Sequence, residues 1–204
     1  MHVLFALAGY VSCIMATMMT ATLNRDRSHL AYIWTRPRAR ERIALGYLAI
    51  DIVTILIAYA LVSAVAAVIV SNIRGVTLIL DSETATSVIR YAALPLMWYG
   101  LVEAATSWNG LRGGTVAGLS WAVFWGLLIL RAINLPVPFE QLVALVNFLN
   151  PLAYFTNRAG MSIVLGSHGI PTLFLTFTVQ TVMAYCIFVA SCALAVVTWK
   201  RMEA

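Results

Sequence analysis

Two carboxylates, Asp51 and Glu103, stand inside long apolar runs of the chain. An ionisable group in hydrocarbon is costly unless it faces a bundle interior, a water-filled cavity or a partner. Such a placement suits a substrate or proton contact. It also suits pairing with a base such as Arg42 or Arg112, or a side chain that reaches back to the interface, since each acid lies within about two turns of a helix end. Tyr91, Tyr99 and Glu103 fall on one face of the same predicted helix. Near the C-terminus, Thr172, Thr176 and Gln180 recur every four residues and continue towards Ser191, a polar stripe on one helix face. A stripe of this kind lines either a pathway or a seam between helices, and the seam is the commoner use. Arg90 and Arg131 fall near the ends of apolar runs, where anchoring to lipid phosphate is the default and pairing with Glu140 the other option.

Catalytic constellations are missing from the sequence. Of the three histidines, His2 stands at the terminus, His29 in a basic segment and His168 in a loop, so paired axial ligands for a membrane haem are absent. Ser167 and His168 are adjacent in a glycine loop and do not form a nucleophile–base pair. There is no GxxxxGK[ST] loop, so ATP is not hydrolysed through a P-loop here. Cys13, Cys186 and Cys192 lie in apolar runs without a CxxC and read as small hydrophobes. The expectation is a protein that is not an enzyme and holds no metal or cofactor of its own.

The elements that must position these residues follow from composition. The 204 residues are 62% hydrophobic and 10% charged, with a mean hydropathy of +0.90. Soluble domains carry about a quarter charged residues, so this composition cannot build a water-facing surface. The predicted fold class is all-α: a polytopic helical membrane protein in one domain, with five transmembrane helices. The spans are placed at residues 2–21, 43–70, 88–108, 115–130 and 171–199. A signal peptide over residues 1–21 is the alternative for the first run, but that run lacks a basic start and is long for such a segment. Pro95 should kink the third span, and Gly114 and Gly118 offer a GxxxG contact at the start of the fourth. Residues 139–155 are apolar but broken by Glu140, Asn147, Asn150 and Pro151. They read as a re-entrant or interfacial helix pair hinged at Asn150 and Pro151, followed by a loop over residues 156–170.

Residues 22–44 form the one sizeable charge-dense break, holding Arg25, Arg27, Arg36, Arg38, Arg40 and Arg42 against Asp26 and Glu41. Leu30, Ile33 and Trp34 give a short helix one apolar face, and Pro37 ends it at Arg36. Placing this segment in the cytoplasm puts the N-terminus outside and the basic C-terminal tail (Lys200, Arg201) inside. The net charge of +5 is concentrated beside spans and does not point to nucleic acid.

The run Trp34-Thr35-Arg36-Pro37-Arg38-Ala39-Arg40-Glu41-Arg42, leading into a span, resembles type-2 ABC transporter permeases. In that family a coupling helix follows the second span and a T-x-P-[IV]-S-R-like motif leads into the third. Thr35, Pro37 and Arg40 match, and Ala39 replaces the small Ser. Asn150-Pro151-Leu152 is similar to the Asn-Pro-Leu element that precedes the family's last span. Asp26 and Ser28 stand where an acidic residue and Gly are often found. The family has six spans, so its first has no counterpart among these five. The resemblance implies a bacterial or archaeal plasma-membrane permease, exporting a substrate by alternating access. Its partners would be a separate ATPase subunit, which binds the ATP and Mg, a second permease subunit and membrane lipids. Asp26, Leu30, Ile33, Trp34, Thr35, Pro37 and Arg40 would couple to the ATPase. Asp51, Tyr99, Glu103, Thr176 and Gln180 would serve the pathway. The competing reading is a membrane scaffold or accessory subunit that binds anionic lipid through the basic segment.

Overall fold

The computed structural model describes residues 2–23, 40–73, 82–109, 113–131, 133, 136–151, 161–163, 173–175 and 177–201. Five long helices carry the architecture: α1 (His2–Leu23), α2 (Arg40–Ser71), α3 (Ser82–Asn109), α4 (Gly113–Arg131) and α6 (Phe177–Arg201). Between α4 and α6 lies a short helix, α5 (Val137–Val146), which runs into a 3₁₀ turn at Asn147–Leu149. A two-stranded antiparallel ladder pairs β1 (Met161–Ile163) with β2 (Leu173–Leu175), Ser162 opposite Phe174. The fold is helical, as expected, apart from this ladder. It corrects the expected boundaries: the last helix starts at Phe177 and not at residue 171, because Leu173–Leu175 pair with a second strand instead of joining the helix.

α3 is the centre. Every residue from Tyr91 to Gly100 is buried, and α1, α4 and α6 pack around it. α1 presents small residues, Ala8, Ser12 and Ala16, which are fully buried and let the two backbones approach. On the α6 side the same role falls to Gly100. A Cβ there would lie 3.2 Å from Phe188 Cδ2, from the Phe188 carbonyl oxygen and from Ser191 Cβ. Pro95 removes one rung of the α3 ladder without ending the helix. An aromatic cluster fills the junction with α1 and α4: Trp98 lies 5.0 Å from Trp121 and 5.1 Å from Phe124, and Tyr10 stands edge-on to Trp121 at 5.6 Å.

Around this centre the outer helices are apolar on the wrong side for water. Two of them are long and apolar enough to cross a membrane: Leu45–Ser71 in α2, mean hydropathy 2.7 and 22% buried, and Thr178–Thr198 in α6, mean hydropathy 2.1 and 17% buried. Both are little buried, unlike the core helix of a soluble protein. α1 and α4 contribute shorter apolar runs, Leu4–Ala16 and Gly118–Leu130. Two spans, not five, therefore meet that measure among the described residues. α3 is absent from the set because its buried polar groups lower its hydropathy. Hydroxyls along these helices fold back on their own carbonyls, Ser12 to Ala8, Thr54 to Ile50, Ser120 to Val116 and Thr198 to Leu194, at 2.6–2.8 Å. That satisfies them without a partner helix.

Candidate functional site

The polar groups of the bundle gather at the two ends of α3. Towards its C-terminal end, Tyr99 and Glu103 lie one turn apart on one face. The Tyr99 hydroxyl donates to Asp51 Oδ2 of α2 at 2.7 Å, and all three residues are buried. Glu103 is within electrostatic reach of Tyr99 and of Cys192 on α6. One turn further on, the hydroxyls of Thr106 and Ser107 donate to the Glu103 carbonyl oxygen at 3.0 and 2.7 Å. Two carboxylates and a phenol thus share one buried site where α2, α3 and α6 meet. Asp51 is paired with a phenol on a neighbouring helix and not, among the described residues, with a base: α2 and α3 run antiparallel, so the first half of one meets the second half of the other.

Towards the N-terminal end of α3, the Arg90 guanidinium is buried. It donates from Nη2 to Gln180 Oε1 of α6 at 3.3 Å and lies 5.4 Å from the Tyr91 ring centroid. This corrects the reading of Arg90 as a lipid anchor: it serves the bundle interior. Gln180 and Ser191 are both buried on α6, so this part of the polar stripe is a seam between helices. Thr172 and Thr176 lie outside the described residues. Two tyrosines close the same end. Tyr59 donates to the Val88 carbonyl at 3.1 Å and Tyr185 to the Ile89 carbonyl at 2.9 Å. Pro95 takes no part in freeing those acceptors, since the carbonyl it orphans belongs to Tyr91. The tyrosine contacts were not predictable from periodicity, because both acceptors are backbone atoms.

The predicted hinge is a built feature. Asn147 and Asn150 are each 0% exposed. Asn150 Nδ2 donates to the Phe124 carbonyl of α4 at 3.2 Å and to Asn147 Oδ1 at 3.0 Å. Pro151 follows, buried; Leu152 lies outside the described residues. The opposite face of this segment is apolar and exposed: Phe139, Leu142, Leu145 and Leu149. The amides are thus buried against protein while the apolar side chains face outward. With 10 residues, α5 is too short to span.

Of the predicted coupling residues, Arg40 is the first residue of α2. Asp26, Leu30, Ile33, Trp34, Thr35 and Pro37 lie outside the described residues. No cluster of metal-ligating side chains occurs among the described residues.

These features define a helical protein with two helices long and apolar enough to cross a membrane, a polar central helix and a short helix before the last one. No family model matches the chain, and neither a curated protein nor a solved structure is significantly similar to it.

Proposed function

We propose that the chain is the membrane-spanning permease subunit of an ABC transporter, with export driven by a separate ATPase. The observation that carries the reading is the arrangement of the bundle. A helix with buried carboxylate, phenol, guanidinium and hydroxyl groups along its length is enclosed by helices whose outer faces are apolar, and a broken, non-spanning helix precedes the last one. Polar groups inside a membrane bundle mark transport paths more than packing alone requires. In this reading α1, α2, α3, α4 and α6 are five spans, with the N-terminus outside and the C-terminus in the cytoplasm. Residues 24–35 dock on the ATPase, and the stretch through Pro37 passes its closure to α2. A second permease subunit completes the pathway. The ATPase acts on the chain only through contacts that differ between its nucleotide states.

The test is co-purification with an ATPase encoded beside this chain. Trp34→Ala, or charged residues at Leu30 and Trp34 together, should reduce ATPase recovery while leaving the bundle intact by size-exclusion chromatography. Unchanged recovery would remove the coupling role. A scaffold bound to anionic lipid through its arginines would instead lose membrane binding as salt rises.

A further inference from the structure

The central helix is held in two different ways. Against α6 it is packed closely at Gly100, where a methyl group would press on the Phe188 carbonyl oxygen at 3.2 Å. Against α2 it is not. α2 packs chiefly on α1 and approaches α3 and α6 at few positions. One stripe of α2 is buried, Leu48, Asp51, Ile55, Tyr59 and Ser63, and most of its remaining surface is exposed. The gap between α2 and α3 is bridged by long side chains: Tyr99 to Asp51 at 2.7 Å and Tyr59 to the Val88 carbonyl at 3.1 Å. Glu103 and Cys192 are both within electrostatic reach of Tyr99. Ser191, next to Cys192, touches α3 at Gly100, one turn from Glu103.

We infer that the Asp51–Tyr99 hydrogen bond is a latch: it holds α2 closed over the Glu103–Cys192 region, and its release lets α2 swing on α1, away from a rigid α3–α6 pair, and admits water to Glu103. A carboxylate stays buried only while its hydrogen bonds are made, so breaking this one favours hydration of Asp51. The α3–α6 contact offers no comparable freedom, because shifting it forces Phe188 and Ser191 past the α3 backbone. The inference is independent of the transport reading, since it concerns this chain alone and needs no ATPase.

Cys192 is a native reporter. It is partly buried, so a reagent confined to water reaches it more readily when water enters this region. The full chain, reconstituted in lipid nanodiscs, would be treated with a charged, water-soluble maleimide, and the adduct at each cysteine followed over time by mass spectrometry. Tyr99→Phe removes the donor and Asp51→Leu removes the acceptor at similar volume, so each removes the latch. Either should speed modification of Cys192 by about tenfold, the scale set by a hydrogen bond to a charged group. The double variant should add nothing further, and Cys13, buried in α1, should keep its rate. An unchanged Cys192 rate in both variants overturns the latch. So does a parallel rise at Cys13, which would mean that the whole bundle has loosened.

Discussion

Asn150→Ala is the sharpest probe of the segment before the last helix. The side chain is fully buried, and its amide makes two bonds, 3.2 Å to the Phe124 carbonyl and 3.0 Å to Asn147 Oδ1. Truncation removes both and leaves Asn147 Oδ1 without that donor in a site closed to water. A net hydrogen bond contributes roughly 0.5–1.5 kcal/mol, and leaving a buried acceptor unpaired adds a desolvation cost of about 1–3 kcal/mol. Inside membranes the measured interhelical values run lower, averaging about 0.6 and reaching about 1.7 kcal/mol. The expected loss is therefore about 1–3 kcal/mol. Asn147→Ala should cost less, since it removes an acceptor and also an Nδ2 group that has no partner among the described residues. The double variant should cost less than the sum of the two, with a coupling of about 0.5–1.5 kcal/mol. The assay is reversible unfolding from mild detergent into a denaturing one, followed by tryptophan fluorescence. Trp98 is well placed as a reporter, since its ring lies 5.1 Å from Phe124, whose carbonyl Asn150 holds. A loss under about 0.3 kcal/mol for Asn150→Ala, or strict additivity in the cycle, would refute the argument that this amide pair fastens α5 to α4.

Two further perturbations separate packing from exposure. Gly100→Ala should destabilise by about 1–3 kcal/mol, because the added methyl meets a backbone oxygen that cannot rotate away. Gly126→Ala, where a Cβ meets nothing within 4 Å, should be neutral or stabilising by up to about 1 kcal/mol in the same unfolding assay. Leu145→Lys tests where α5 lies. The residue is 65% exposed, and an exposed substitution in water costs within about 0.5 kcal/mol, whereas lysine at the centre of a bilayer costs roughly 2.5–3.5 kcal/mol. Unfolding in nanodiscs distinguishes the two values.

Much of the layout could be read in advance, for a physical reason. Apolar runs of membrane length have one stable backbone form, so residues 2–21, 43–70 and 115–130 fall within α1, α2 and α4. The misplaced boundaries are those set by contacts distant in sequence. Ser82 to Ser87 look like a polar link, yet they belong to α3, where Thr84 and Ser87 are buried against neighbouring helices. Leu173–Leu175 look like the start of a helix, yet they form a strand whose partner lies ten residues back. The site shows the same division. Asp51, Tyr99, Glu103 and Gln180 could be singled out as polar groups among apolar ones. Their partners could not, because pairing depends on which helices are adjacent and at what height. Arg90 is the clearest case: one turn nearer the centre of the bundle separates a lipid anchor from a buried group.

Under the proposed five-span arrangement, the inward polarity of α3 also bears on how the chain enters a membrane. Residues such as Arg90 and Glu103 oppose insertion of a lone helix, by about 2.5–3.5 kcal/mol for a charge placed at the middle of a span. α3 is therefore the helix least able to leave the translocation channel unaided. α1 and α2 are synthesised before it and offer it Asp51 and a small-residue face, but Gln180 of α6 is made about ninety residues later. Between those moments Arg90 lacks its amide acceptor. Biogenesis of this protein should thus be limited at α3 and completed only by the last helix. A chain truncated after α4 would then be retained at the insertion machinery and degraded, even though every helix upstream is intact.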